Sequence, residues 1–298
     1  MKKRIVTNVA MMTMTAVLLS ACGSSETAPE STDVLTTQTQ EAADMITTQM
    51  QEEATPAAQS IAETSAEDFT YTGLQDGTIE VQRYNGTAEV VSIPAQIDGK
   101  DVSVIGEVCF GNKDKITTVV IPDTVKEIGD KAFINCSSLV SVKMSANIET
   151  IGMEAFSGPQ IREIELAETL NEIGARAFGG CGLRQLEIPS SLTEIQRGTF
   201  LQNDIESLVV PGNIKSIGIS AFDDCDMLKE VVLEDGVESL DEYAFEMCDI
   251  LEKVTIPASV TEIASNTFIN SPNVTIVAEP GSYAETFALE NDIPCVNP

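Results

Sequence analysis

The sequence predicts a repeat solenoid: a right-handed stack of coils, mainly β with some α, in which one long parallel β-sheet faces short helical turns. Three observations lead there. The unit Ile-Gly-x-x-Ala-Phe-x-x-Cys-x-x-Leu-x-x-Val-x-Ile-Pro recurs about eight times between residues 102 and 274, at intervals of 22 or 23 residues. Phe110, Phe133, Phe156, Phe178, Phe200, Phe222, Phe245 and Phe268 form one column of the repeat, and the aliphatic residue five positions before each Phe keeps the same beat. Both ends of the array depart from the unit. A fixed period of about 20–29 residues marks stacked coils rather than a globule around a single core.

Residues 125–147 serve as a representative coil. Val125 and Ile128 point inward, and Gly129 permits a bend where a Cβ would crowd the neighbouring coil. Residues 130–135 read as a short helical turn that buries Ala132 and Phe133. Cys136 then turns the chain inward. Leu139, Val142 and Met144 make the strand, with Ser141 and Lys143 on its opposite face. In several coils Pro122, Pro189, Pro211 or Pro257 ends the strand where no ladder donor is needed. One coil alone buries too few side chains to offset the entropy of ordering it, so only the stacked array folds.

The ends read as caps. Residues 68–101 form an N-terminal β cap, with a hairpin over 69–84 turning at Asp76-Gly77 and a degenerate first strand at 90–94. Residues 275–298 form the C-terminal cap, with a helix over 283–291 that offers Tyr283, Ala284, Phe287 and Ala288 to the last open coil. Bare sheet edges would otherwise invite association.

The first residues supply a location. Lys2, Lys3 and Arg4 precede an apolar run over 9–19, and the segment closes on Leu19-Ser20-Ala21-Cys22. Residues 1–21 therefore read as a lipoprotein signal peptide, with lipid attached at Cys22 after cleavage. Two acyl chains hold a protein on a membrane where one does not. Residues 22–67 are rich in Thr, Gln, Ala, Ser and acidic residues and hold no Lys, Arg or aromatic residue, the composition of a disordered tether. Cleavage leaves 14 basic residues against 47 acidic ones, a net of −33. Such a surface repels nucleic acid and anionic headgroups, so membrane contact is expected through the lipid anchor only, and cationic partners are favoured.

The repeat motif, together with Tyr84-Asn85-Gly86, Ile93-Pro94 and Ile97-Asp98-Gly99-Lys100 at one end and Gly281-Ser282-Tyr283-Ala284-Glu285 at the other, resembles the BspA-type leucine-rich repeat family of bacterial and protist surface proteins. The resemblance covers residues 69–298. It implies a leucine-rich-repeat fold on the bacterial cell envelope and a link to adhesion. It carries no functional residue, because the shared positions are structural. Local departures are Pro159 at the Cys position and Gln196, Asp241 and Ala264 where Gly is usual.

Chemistry is sparse. The absence of His excludes His-based triads, acid–base work and mixed Cys/His zinc sites. Cys136, Cys181, Cys225 and Cys248 share one repeat column and read as buried structural thiols, although adjacent coils make a Cys225–Cys248 disulfide conceivable. The carboxylates Glu163, Glu165 and Glu187, and the run Asp223, Asp224 and Asp226, lack the spacing of a calcium loop and read as solvated faces. No cofactor and no metal is expected. What remains is the strand-lined, concave face, whose outward positions include Glu163, Glu165, Gln185, Glu187, Val209, Glu230 and Val232. These are the candidate ligand-binding residues. The expectation is a non-enzymatic surface lipoprotein that binds an extracellular protein or glycan, a basic one by charge. Alternatives are a glycan-binding or enzyme-linked surface module, or a solute-receptor lipoprotein, which would need two lobes around a cleft.

Overall fold

A computed structural model describes residues 62–298. The signal segment, Cys22 and the tether as far as residue 61 lie outside the described residues. The remainder is a parallel β-solenoid whose interior is one continuous column of buried apolar side chains.

Each regular coil contributes two short strands, so two ladders run along the stack rather than one sheet. The first ladder is built at the Ile-Gly bend. Glu127–Ile128 pairs in parallel with Thr150–Ile151, and that with Glu172–Ile173, with Glu outward and Ile buried. The second ladder forms the face. Val90–Ser92, Thr118–Val120 and Ser141–Lys143 pair in sequence, and a second block joins Ser207–Val210, Glu230–Leu233, Lys253–Thr255 and Thr275–Val277. Val119, Leu208, Val231 and Val254 point inward, while Ser207 faces Glu230 and Val209 faces Val232 in register. The expectation of one sheet missed the first ladder because two residues are too short to show an alternating pattern.

The bend glycines explain how closely the coils approach. A Cβ on Gly152 would lie 2.5 Å from the Asp130 amide nitrogen, and one on Gly174 would lie 2.5 Å from that of Met153. Their own amides donate to the preceding coil, Gly152 to the Ile128 carbonyl at 2.7 Å and Gly174 to Ile151 at 2.8 Å.

Opposite the face, the expected helical turn is absent; residues 130–135 form two successive tight turns. Two residues per coil, four apart, adopt left-handed backbone: Val108 and Asn112, Lys131 and Asn135, Tyr243 and Met247, with φ between 53° and 62°. A left-handed residue cannot continue a right-handed helix. Between the two turns each Phe enters the core. The eight rings stack almost parallel, with centroids from 4.8 Å (Phe110–Phe133) to 5.8 Å (Phe178–Phe200) apart.

The Cys column has a physical role that the pattern did not reveal. Its side chain donates to the carbonyl of the preceding coil's Phe. Cys136 reaches Phe110 at 3.0 Å, Cys181 reaches Phe156 at 2.9 Å, Asn203 reaches Phe178 at 2.9 Å and Ser271 reaches Phe245 at 2.8 Å. A small donor is what the column needs, which is why Cys, Asn and Ser interchange there and why Pro159 is the misfit. Cys225 and Cys248 each donate in this way and remain free thiols.

Both ends are capped. Phe69–Gly73 and Ile79–Tyr84 form the expected hairpin, and the Tyr84 ring, fully buried, closes the Phe column 5.4 Å from Phe110. The tether boundary moves toward the N-terminus. Thr64 exchanges bonds with Ser92, its amide donating to the Ser92 carbonyl at 2.8 Å, and a short 3-10 turn follows at Ala66–Asp68. Thr64 continues the exposed edge of Val90–Ser92, so pairing fixes residues that composition assigns to a flexible segment. At the other end the helix Tyr283–Glu290 buries Ala284, Phe287 and Ala288, with Ser282 capping the Glu285 amide. Tyr283, expected in the cap's buried face, is exposed at the first helical position, and Phe287 is the ring that meets Phe268, with centroids 6.4 Å apart. A final strand, Cys295–Val296, pairs with Thr275–Val277.

Candidate functional site

Both ladders open in the middle of the stack. Among the described residues, the face strands of two consecutive coils, residues 163–166 and 185–188, join no ladder. The first ladder is also interrupted, between Glu172–Ile173 and Glu194–Ile195.

The cause is written in coil length. In a full coil two residues separate the Cys column from the Leu column, as in Cys136-Ser137-Ser138-Leu139, and the Leu139 amide closes the turn on the Cys136 carbonyl at 2.9 Å. Leu228 and Leu251 close theirs on Cys225 and Cys248 in the same way. Three consecutive coils lack one residue there: Pro159-Gln160-Ile161, Cys181-Gly182-Leu183 and Asn203-Asp204-Ile205. None of Ile161, Leu183 or Ile205 closes such a turn. Every missing step of the face ladder precedes a strand that follows a shortened turn, and pairing resumes at Ser207–Val210 with Glu230–Leu233, after the turn regains its length. The gap in the first ladder falls at Gln196, whose amide makes no bond to Ile173, whereas Gly218 donates to Ile195 at 2.8 Å. Asp241 and Ala264 keep this bond at 2.9 and 3.0 Å, so a Cβ alone does not open the ladder; it does so beside the shortened turns.

On the turn side the coils stay bonded. The Phe178 amide donates to the Thr199 carbonyl at 2.9 Å, and Arg176 to Arg197 at 3.0 Å. On the face the stack opens only between bonds that still tie the coils, the Gln160 amide to the Leu139 carbonyl at 3.0 Å and Thr169 Oγ1 to the Ala146 carbonyl at 3.2 Å, with the Arg184 amide also held on the Arg162 carbonyl at 3.0 Å. The opening is a cleft of about 860 Å³ lined by residues 141–146 and 163–168 together with Gln185 and Glu187. Val142, Met144, Ile164, Leu166 and Ile188, which a closed ladder would bury as it buries Val119 and Leu208, are half-buried here.

Four candidate residues, Glu163, Glu165, Gln185 and Glu187, come together at this cleft. Of the four ion pairs among the described residues none involves Glu163, Glu165 or Glu187. Glu165 and Glu187 occupy the same position of adjacent coils, an arrangement of like charges that disfavours pairing. The other candidates lie elsewhere. Glu230 is paired with Lys253 at 2.8 Å, so the free charge expected of it is absent, because the following coil places a lysine at the register position opposite. Val209 is 53% exposed and stands beside Val232 on an intact part of the ladder. Met144, Ile164 and Leu166, the cleft's apolar lining, were not expected as surface, since their positions are core positions in the coils whose ladder is closed.

A second acidic group lies on the turn side. Burial, then Glu246 and Asp224, push Asp223 up to about 6. No group of Cys, Asp and Glu among the described residues is arranged to hold a metal ion. The column thiols are held protonated by burial, Cys136 pushed up to about 11 and Cys225 to about 12.

Stacked parallel coils, a buried Phe column and a Leu-to-Pro strand on the face define a leucine-rich-repeat solenoid. The model of the BspA type leucine rich repeat region matches residues 78–205 and 149–275, with six copies, and the chain belongs to that family. Similar solved structures include a leucine-rich repeat protein from Treponema pallidum (26% identity, 79% of this chain and 98% of that one, TM-score 0.49). Another is from Bacteroides ovatus (25% identity, 73% and 71%, TM-score 0.50). The pneumococcal vaccine antigen PcpA is also similar (15% identity, 80% and 98%, TM-score 0.44). No curated protein matches.

Proposed function

We propose that this chain is a non-enzymatic bacterial surface lipoprotein, anchored through Cys22, whose solenoid binds a basic extracellular protein and so serves adhesion. One observation carries the reading. The cleft on the face combines an apolar floor with three carboxylates, Glu163, Glu165 and Glu187, that enter no ion pair among the described residues. Binding sites are concave, mostly apolar and fixed by a few polar groups, and the rigid Phe column beneath this one keeps the ordering cost of association low. A neutral glycan would leave the carboxylates without partners. A solute receptor would need two lobes, and the uninterrupted array from residue 102 to 274 supplies one.

The test has two arms. Radiolabelled palmitate enters the wild-type protein and is lost from Cys22→Ala; equal labelling of both ends the lipoprotein reading. A cationic protein fraction from matrix extracts is retained by the protein at low salt and released as ionic strength rises, because exposed charges are screened beyond about 8–10 Å. Glu165→Lys/Glu187→Lys slows association about tenfold while the fold is kept. Unchanged kinetics would place the partner on another surface.

A further inference from the structure

Glu163, Ile164, Glu165 and Leu166 stand where intact coils have a face strand, and their amides donate to no backbone or side-chain acceptor among the described residues. Their counterparts in intact coils, such as Val231 and Val232, are ladder residues on both sides. The seam therefore presents backbone donors and acceptors with no partner, beside Ser141–Lys143, which pairs only with Thr118–Val120. Exposed strand edges recruit other strands.

We propose that the cleft binds its partner by strand addition: an extended segment of about four to six residues, alternating cationic and apolar, lies along residues 163–168 and supplies the missing ladder bonds. The alternation follows from the two faces of a strand. Side chains turned inward meet Val142, Met144, Ile164 and Leu166, which are half-buried for want of a cover. Side chains turned outward fall between the outward carboxylates Glu163, Glu165 and Glu187, where cross-strand pairing favours Lys or Arg. Main-chain bonds supply affinity and the alternation supplies selectivity. The flanking ladders, Ser141–Lys143 and Ser207–Val210, are three and four residues long, which sets the length engaged. The segment comes from another protein, because residues 22–61 carry no Lys or Arg.

This deepens the proposed binding reading and rests on it, so the experiment separates the two. Three synthetic probes are titrated onto the full-length protein: Lys-Val-Lys-Val-Lys-Val, its isomer Lys-Lys-Lys-Val-Val-Val, and the alternating peptide N-methylated at every Val. Amide exchange at Ile164 and Leu166 is followed in parallel. Strand addition requires the alternating peptide to bind about tenfold more tightly than either control. It also requires Ile164 and Leu166 to exchange readily in the free protein and to become protected in the complex. Equal, salt-sensitive binding of all three probes would remove strand addition and leave a basic-partner surface standing. Binding of none would remove both. Protection of Ile164 and Leu166 in the free protein would show a closed seam and also remove the proposal.

Discussion

Phe178→Ala tests whether the seam divides the solenoid. Phe178 is fully buried, with ring centroids 5.4 Å from Phe156 and 5.8 Å from Phe200, whereas Phe133 sits 4.8 and 4.9 Å from its neighbours. Truncating a core Phe costs about 3–5 kcal/mol, and the looser stack places Phe178 near 3 and Phe133 near 5. The consequences run in the opposite order. Around Phe133 both ladders and the turn bonds still hold the coils together. Around Phe178 the ladders are open, and coupling falls to the ring stack, the turn bonds such as the Phe178 amide to the Thr199 carbonyl at 2.9 Å, and Asn203 Nδ2 to the Phe178 carbonyl at 2.9 Å. In a solenoid whose stability is a sum of coil and neighbour terms, a weakened neighbour term uncouples the halves. Hydrogen exchange resolved coil by coil, in rising urea, reads this directly. Phe178→Ala should give two unfolding steps, separating the coils before residue 173 from those after 194, and Phe133→Ala one step at lower urea. A single concerted transition in both variants would refute the seam as a weak coupling.

Two further changes have signs fixed by the structure. Asp223 titrates near 6 when folded against a usual 3.8, so the folded state holds the proton more tightly and stability is lost as pH rises from about 4 through 6. Its partial exposure reduces the effect of the shift to about 1 kcal/mol, and Asp223→Asn should recover that at pH 7 and flatten the profile of urea midpoint against pH. Cys248→Val removes the donor to the Phe222 carbonyl, at 3.3 Å, and leaves a buried acceptor unpaired at a cost of about 1–3 kcal/mol. Cys248→Ser, which copies Ser271, should cost less; equal losses would show that the column is about size alone.

The Phe column, the two caps and the outward side chains of the face were legible because each rests on apolar spacing, which burial enforces. The paired left-handed residues were only half legible. The second of each pair is often Asn112, Asn135, Gly158 or Gly180, a recognisable turn signal. The first is Val108, Lys131, Glu154, Arg176 or Tyr243, whose side chains give no sign of the backbone they are forced into by neighbouring coils. Glu163, Glu165, Gln185 and Glu187 were found as outward residues, but their common cleft was not, since a pattern of side-chain direction does not report whether a ladder closes. The information was present as the difference between 22 and 23 residues, and its meaning depends on which turn loses the residue.

That dependence yields a reversal. If the shortened turns open the face, restoring their length closes it without touching any residue of the cleft. One Ser inserted after each of Gln160, Gly182 and Asp204 gives all three coils the spacing of Cys136-Ser137-Ser138-Leu139. The turn bond seen at Leu139 and Leu251 then becomes available to Ile161, Leu183 and Ile205. The face strands shift into register with Ser141–Lys143 and Ser207–Val210, and Ile164 and Leu166 become buried. Each restored hydrogen bond contributes about 0.5–1.5 kcal/mol net, opposed by bringing Glu165 and Glu187 side by side, so a gain of about 2 kcal/mol is expected. The same change should protect the Ile164 and Leu166 amides and remove binding of the alternating Lys-Val probe, although every carboxylate remains. A lengthened protein that is more stable yet still binds would separate the cleft from the ligand. One that is neither more stable nor better protected would show that coil length does not govern the opening, and Gln196→Gly would then be the next change to make, since it alone restores the bend glycine at the interrupted step of the first ladder.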